Sequence, residues 1–157
     1  MDLPDLPPDL TFHRLPPTAA ALDDAFAAKR AALGPHIVGR WGWDDALQRA
    51  IHRRRFDEKP FLAIRQGETP LGTVSLHAKS DHVRLGEFYL FPPFQGRGLG
   101  SAILTHCLVA TDGLGLPVNL EALHWNPVVS LYRRFGFVEV GGSDIHLFME
   151  RPPRRLL

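Results

Sequence analysis

Hydrophobic positions along the chain follow two periods, and the switches between them outline the elements. "LTFHRLP" near the start reads as a short edge strand. "TAAALDDAFAAKRAALGP" carries Leu22, Phe26 and Leu33 at helical spacing, with Thr18 placed to cap the helix and Gly34–Pro35 to stop it. After a loop, "HIVGRWGW", the run "DDALQRAIHRRRF" predicts a second helix, acidic at its start and basic at its end as the helix dipole favours. Alternation then takes over. "FLAIRQ" and "LGTVSLHA" are separated by "GETP", a hairpin signal, and "HVRLGEFYLF" is a third strand. A helix over 98–112 follows, with Leu99, Ala102, Ile103, His106 and Ala110 predicted as its inner stripe. "VNLEAL" is a strand, and "NPVVSLYRRFG" a helix with Asn126 as cap and Pro127 in its first turn. "FVEV" and "IHLFME" close the pattern as strands. Helices interleaved with strands predict an α/β (α+β) fold with a mixed sheet covered on both faces.

Composition narrows the function. The 157 residues are 45% hydrophobic and 22% charged, enough for one domain with a substantial core. Five of the fourteen prolines fall in the first 17 residues. Residues 1–9 therefore read as an extended leader, 10–151 as the domain and 152–157 as a basic tail. The formal charge of +1 carries no nucleic-acid-scale basic excess, and no stacking platform is evident. "HRRR" (52–55) reads as a solvated helix face and "RPPRR" (151–155) as a frayed end. The lone Cys107 suits a reducing compartment. With no signal peptide and no membrane span in the pattern, the protein is expected to be soluble and cytoplasmic. No spacing of His, Cys and carboxylates matches a metal site.

The most informative stretch is "FPPFQGRGLGSAILTHCL" (91–108). A strand passes through three glycines and an arginine into a helix. The first N–H groups of a helix lack intrahelical partners, and glycine lets an anion approach them, so this turn predicts a phosphate or pyrophosphate cradle. Arg97 adds a charged donor fork. Neither the dinucleotide nor the P-loop pattern fits, because Ser101 stands where the third glycine belongs and no Gly-Lys-Ser/Thr follows.

"QGRGLG", Gln95 to Gly100, resembles the Q/R-x-x-G-x-G/A acyl-CoA signature of the GNAT superfamily of N-acetyltransferases. "HWNPVVSLYRRFGFVEV" (124–140) is similar to that family's second motif, at the matching distance. The resemblance runs from about residue 10 to 150. It implies a single-domain, mostly antiparallel sheet of six to seven strands with about four helices. It implies acetyl transfer from acetyl-CoA to a primary amine of a small molecule or peptide, by direct attack in a ternary complex, in a monomer or homodimer. Residues implied to hold the coenzyme are Leu90, Phe91, Gln95, Gly96, Arg97, Gly98, Leu99, Gly100, Ser101, Asn126 and Tyr132. A non-catalytic acyl-CoA sensor of the same fold is the alternative, and a longer acyl donor is also open.

Three chemical tasks follow from such a reaction. A lysine-like ammonium near pKa 10.4 costs about 4.6 kcal/mol to deprotonate at pH 7, so a base is required. Glu87 is the candidate, in a strand where relatives often place an acid. Alternation puts it on one face with Val83, Leu85, Tyr89 and Phe91, an apolar setting. A backbone N–H near Leu90 is the candidate for the oxyanion, since Pro92 and Pro93 cannot donate. Tyr132 is the candidate acid for the departing thiolate, expected at the edge of a stripe formed by Val128, Leu131 and Phe135. For the acceptor, the family's pocket position falls on "RWGWDD", where Trp41, Trp43 and Asp44 suit a cationic amine, with His146 nearby.

Overall fold

A computed structural model of the chain describes residues 9–154; most of the leader and the last three residues lie outside them. Seven strands and four helices follow one another in the predicted order: β1 (Leu10–Arg14), α1 (Ala19–Trp41), α2 (Asp45–Glu58), β2 (Leu62–Gln66), β3 (Thr69–Ala78), β4 (Val83–Leu90), α3 (Leu99–Leu114), β5 (Val118–Leu123), α4 (Val128–Arg134), β6 (Val138–Gly142) and β7 (His146–Arg151). The strands form one sheet, ordered β1-β2-β3-β4-β5-β7-β6. Only the β4–β5 pair is parallel, as a strand–helix–strand crossover requires.

α3 and α4 close one face of the sheet. Ile103, Leu104, Cys107 and Leu108 of α3 and Val129 and Tyr132 of α4 join Val74, Val83, Leu85, Leu120 and Met149 in one core. α1 packs on β3 and β4 from the other face, with α2 beside it. No helix among the described residues is long and apolar enough to cross a membrane.

Several expectations are corrected by tertiary packing. α1 does not stop at Gly34–Pro35 but continues to Trp41, with Pro35 inside it. Proline removes one helical hydrogen bond and crowds the preceding turn. Against that cost, the added turns bury Ile37 and carry the His36 carbonyl to the Trp125 indole, 2.7 Å away. In α3 the inner face is Leu99, Ala102, Ile103, Leu104, Cys107, Leu108 and Thr111, whereas His106 and Ala110 are exposed. The larger apolar side chains take the core, and His106 stacks on Phe12 at 4.6 Å instead.

The two basic runs are not simple solvated segments. In the first, His52 is buried among Phe26, Phe56 and Phe61. In the second, Arg151 is 4% exposed and forks onto Asp112 at 2.8 and 3.1 Å. The Arg154 N–H donates to the same carboxylate, so the chain is held up to that point.

Candidate active site

β4 and β5 are paired only at their beginnings, through Val83–Val118 and Arg84–Asn119. Beyond that the strands have no ladder between them, and a gap opens along the last part of β4. The Phe91 N–H donates to the Leu71 carbonyl at 2.9 Å. Amides alternate in direction along an extended strand, so the N–H and C=O of Leu90 point to the opposite edge, into the gap. The expected donor near Leu90 is therefore a backbone group without a strand partner.

The glycine turn stands at the end of this gap. A 3-10 turn over Pro92–Phe94 leads into it. Gln95 then folds back, its side-chain amide donating to the Leu90 carbonyl at 2.8 Å. Gly96 and Gly98 have φ of +70° and +79°, a conformation in which a β-carbon is unfavourable. α3 begins directly after Gly98 with no side-chain cap. The first intrahelical bond is Ala102 N–H to Gly98 C=O, so the N–H groups of Leu99, Gly100 and Ser101 have no helical acceptor. Arg97 is exposed beside them.

Gly100 ties the turn to the other walls. A β-carbon there would lie 3.5 Å from Leu131 and 3.8 Å from Leu90. The helix start, the end of β4 and α4 thus meet at one point.

α4 is rotated from the expected setting by about one residue. Val129 and Tyr132 are fully buried, while Val128 and Leu131 are half-buried. Tyr132 is therefore central to its stripe, not at the edge, with its ring edge-on to Phe137 at 5.6 Å. Its hydroxyl has no hydrogen-bond partner among the described residues. Burial pushes the phenol pKa above its ordinary value, with Cys107 adding to the shift. The Asn126 side chain accepts from the Val128 N–H at 3.1 Å, the capping role.

Glu87 sits where β4 breaks its alternation. Thr73 pairs with Tyr89 but Ser75 with Gly86, so β4 carries one extra residue. Glu87 has φ +50° there, the sign of a β-bulge. Val83, Leu85 and Phe88 keep the α3 face, and Glu87 turns to the α1–α2 side. The apolar neighbourhood expected from simple alternation is replaced by cations. Glu87 Oε1 lies 3.0 Å from Lys59 Nζ and 3.6 Å from an Arg55 guanidinium nitrogen. Its Oε2 is buried with no hydrogen-bond partner. Tyr89 lies in reach of this group: burial first, then the Glu87 charge, pushes its phenol pKa well up.

Lys29 belongs to the same cluster and is 2% exposed. Burial, then Arg55, pushes its ammonium pKa down to about 8, with Glu87 opposing. Sequence reading missed it, although the signal was present: Lys29 falls on the helical stripe that also contains Leu22, Phe26 and Leu33.

The residues expected on the acceptor side are dispersed. Trp43 packs on Phe26 and Gly34, and its indole N–H donates to Asp45. Asp44 caps α2 through the Leu47 N–H, 3.0 Å away. Asp45 is held by Arg49 at 2.7 Å. Trp41 meets Trp125 at 5.4 Å, and the Arg40 guanidinium lies 3.9 Å above the Trp125 ring. That corner is aromatic and cationic instead of acidic. His146 is half-buried opposite Leu123, at the end of β5. No group of three or more metal-ligating side chains occurs among the described residues.

Residues 22–137 match the model of the Acetyltransferase (GNAT) family. The chain belongs to this family. Solved structures share its GNAT fold. PaiA N-acetyltransferase from Thermoplasma acidophilum, in complex with coenzyme A, superposes with a TM-score of 0.72 at 16% identity, over 91% of this chain and 98% of that one. The ribosomal-protein-S18-alanine N-acetyltransferase of Escherichia coli gives 0.68 at 18% identity, over 94% and 96%. An acetyltransferase from Thermus thermophilus also gives 0.68 at 18%, over 92% and 98%. No curated protein sequence matches the chain. The matched span includes both the glycine turn and α4, which meet at the end of β4.

Proposed function

We propose that this GNAT protein transfers the acetyl group of acetyl-CoA to a primary amine of a small molecule or peptide, by direct attack in a ternary complex. The observation that carries the reading is the meeting of three elements at Gly100. The unpaired end of β4, the uncapped start of α3 and α4 line one gap.

The residues fit a coenzyme A pyrophosphate. Leu99, Gly100 and Ser101 offer free N–H groups at a positive helix end, Gly96 and Gly98 leave the approach open, and Arg97 adds a cation. Acetyl-CoA supplies the activated acyl group. The Leu90 N–H donates to the carbonyl oxygen as negative charge develops on it, with Phe91 continuing the same wall. Glu87, through Oε2, accepts the proton of the attacking amine, directly or across one water. Tyr132 keeps its proton at neutral pH and donates to the thiolate as the C–S bond breaks. Asn126 fixes the start of the helix that carries it. Cys107 is buried in the core with its thiol pushed up to about 12 by burial, a poor setting for a covalent acyl relay and support for direct attack.

Thiol release from acetyl-CoA against a panel of amines tests this reading, with calorimetric binding of acetyl-CoA in parallel. Release with one amine class, reduced in Tyr132→Phe, supports a transferase. Binding without release from any amine supports the sensor reading instead. No binding at all removes both.

A further inference from the structure

Arg55 of α2 and Lys59 just after α2 converge on one carboxylate, that of Glu87, and the buried Lys29 of α1 lies near enough to feel all three charges. Among the described residues, no other carboxylate lies within 4.0 Å of Arg55 or Lys59, and none at all lies that close to Lys29. His52, also near, does not offset this charge. Burial first, against the Leu22 carbonyl, pushes its imidazole pKa below the ordinary value, so it is neutral at pH 7. The cluster therefore carries an uncompensated positive charge in a largely buried place, where charges are normally paired.

Its charge pairing is incomplete on both sides. Both cations that reach Glu87 do so at Oε1; its buried Oε2 makes no hydrogen bond within 3.5 Å, and the neutral Tyr89 hydroxyl is the donor nearest the carboxylate on β4. Lys29, 2% exposed, has no carboxylate to accept from it. A water could satisfy either atom but would leave the excess charge. A ligand that brings an ammonium to Oε2 and an anion to Lys29 and Arg55 answers all three deficits. Arg55, with 42% of its side chain exposed, forms the side of the cluster nearest solvent. On β4, Glu87 is followed two residues later by Tyr89 and three later by Leu90, whose N–H faces the gap.

We infer that this cluster selects the acceptor: an amine that also carries a carboxylate, as in an amino acid or a short peptide, the carboxylate taken by Lys29 and Arg55 and the amine by Glu87 Oε2. The inference rests on the transferase reading above and deepens it. It also runs against a polycationic acceptor, which three cations would repel.

The test compares acids with their neutral twins. Leucine, β-alanine and Gly-Leu are each assayed beside the corresponding C-terminal amide, with spermidine and 2-aminoethylphosphonate added, and with acetyl-CoA binding measured separately by calorimetry. The acids are expected to exceed their amides in kcat/KM by on the order of a hundredfold, the scale for leaving a buried charge unpaired. Arg55→Gln and Lys29→Met should each erase most of that preference while the Kd for acetyl-CoA stays unchanged. Should either variant fail to fold, wild-type protein saturated with CoA gives the same comparison: N-acetylleucine should bind at least about tenfold more tightly than N-acetylleucinamide. Amides or spermidine turned over as well as the acids would overturn the inference and leave the transferase standing. So would bound acetyl-CoA with no release from any acid. 2-Aminoethylphosphonate above β-alanine would reassign the cluster to a phosphoryl group. Failure of acetyl-CoA to bind at all would bring down the transferase reading, and this one with it.

Discussion

The side-chain amide of Gln95 donates to the carbonyl of Leu90 across 2.8 Å. One hydrogen bond thus ties the glycine turn to the last residue of β4, the residue whose N–H opens on the gap. It sets the distance between the place where a pyrophosphate would bind and the place where a thioester would react. Gln95→Ala should leave the fold intact and weaken acetyl-CoA binding by roughly fivefold, the scale of one neutral hydrogen bond. Calorimetry on both proteins checks this; equal Kd values would mean that the turn holds its shape without the tether.

The glycines of the turn are not equivalent. Gly98 has φ +79° with open space around it, whereas Gly100 lacks a positive φ and faces Leu131 and Leu90 at ordinary contact distance. Gly98→Val should abolish acetyl-CoA binding, through about 1–3 kcal/mol of backbone strain and a side chain in the anion's path. Gly100→Ala should bind acetyl-CoA within a few fold of wild type. If the order is reversed, the anion sits over Gly100 and the cradle is misassigned.

Tyr132→Phe removes a hydroxyl that makes no hydrogen bond within the described protein while keeping the ring that packs on Phe137. Stability should change by less than about 0.5 kcal/mol and acetyl-CoA affinity should hold, while turnover falls by roughly 10²-fold. Thermal melting, binding and thiol release together separate the catalytic from the structural role. Wild-type turnover would take the phenol out of the chemistry.

The Asp112–Arg151 pair predicts how the fold responds to acid. Burial pushes the Asp112 carboxyl pKa up, but hydrogen bonds from Arg151 and from the Arg154 N–H outweigh it, and the net shift is downward. A carboxyl with a depressed folded pKa stabilises the fold above its unfolded value, about 3.9, and loses that contribution as pH falls through the folded value. Denaturant midpoints should therefore drop below about pH 4, and less steeply in Asp112→Asn. At pH 7 that variant should lose about 3 kcal/mol, because Arg151 stays buried without its partner. An unchanged midpoint at pH 7 would show the pair to be dispensable.

The element order and the glycine turn were legible in the sequence because both rest on local physics. Periods of 3.6 and 2 follow from helix and strand geometry, and a glycine turn before a helix is an anion site wherever it is placed. The same holds for the Thr18 and Asn126 caps, whose partners lie within three residues. What tertiary structure alone decided depends on atoms far apart in the chain. The extra residue in β4 is visible only once β3 is paired beside it, and it moves Glu87 from the apolar face to the cations. Lys29, Arg55 and Lys59 are 26 and 4 residues apart in sequence and meet only because α1 and α2 pack over that bulge. Pro35 inside α1 likewise depends on a distant partner, Trp125. Local pattern specified which elements form and where the glycine turn lies; long-range packing decided which charges surround Glu87.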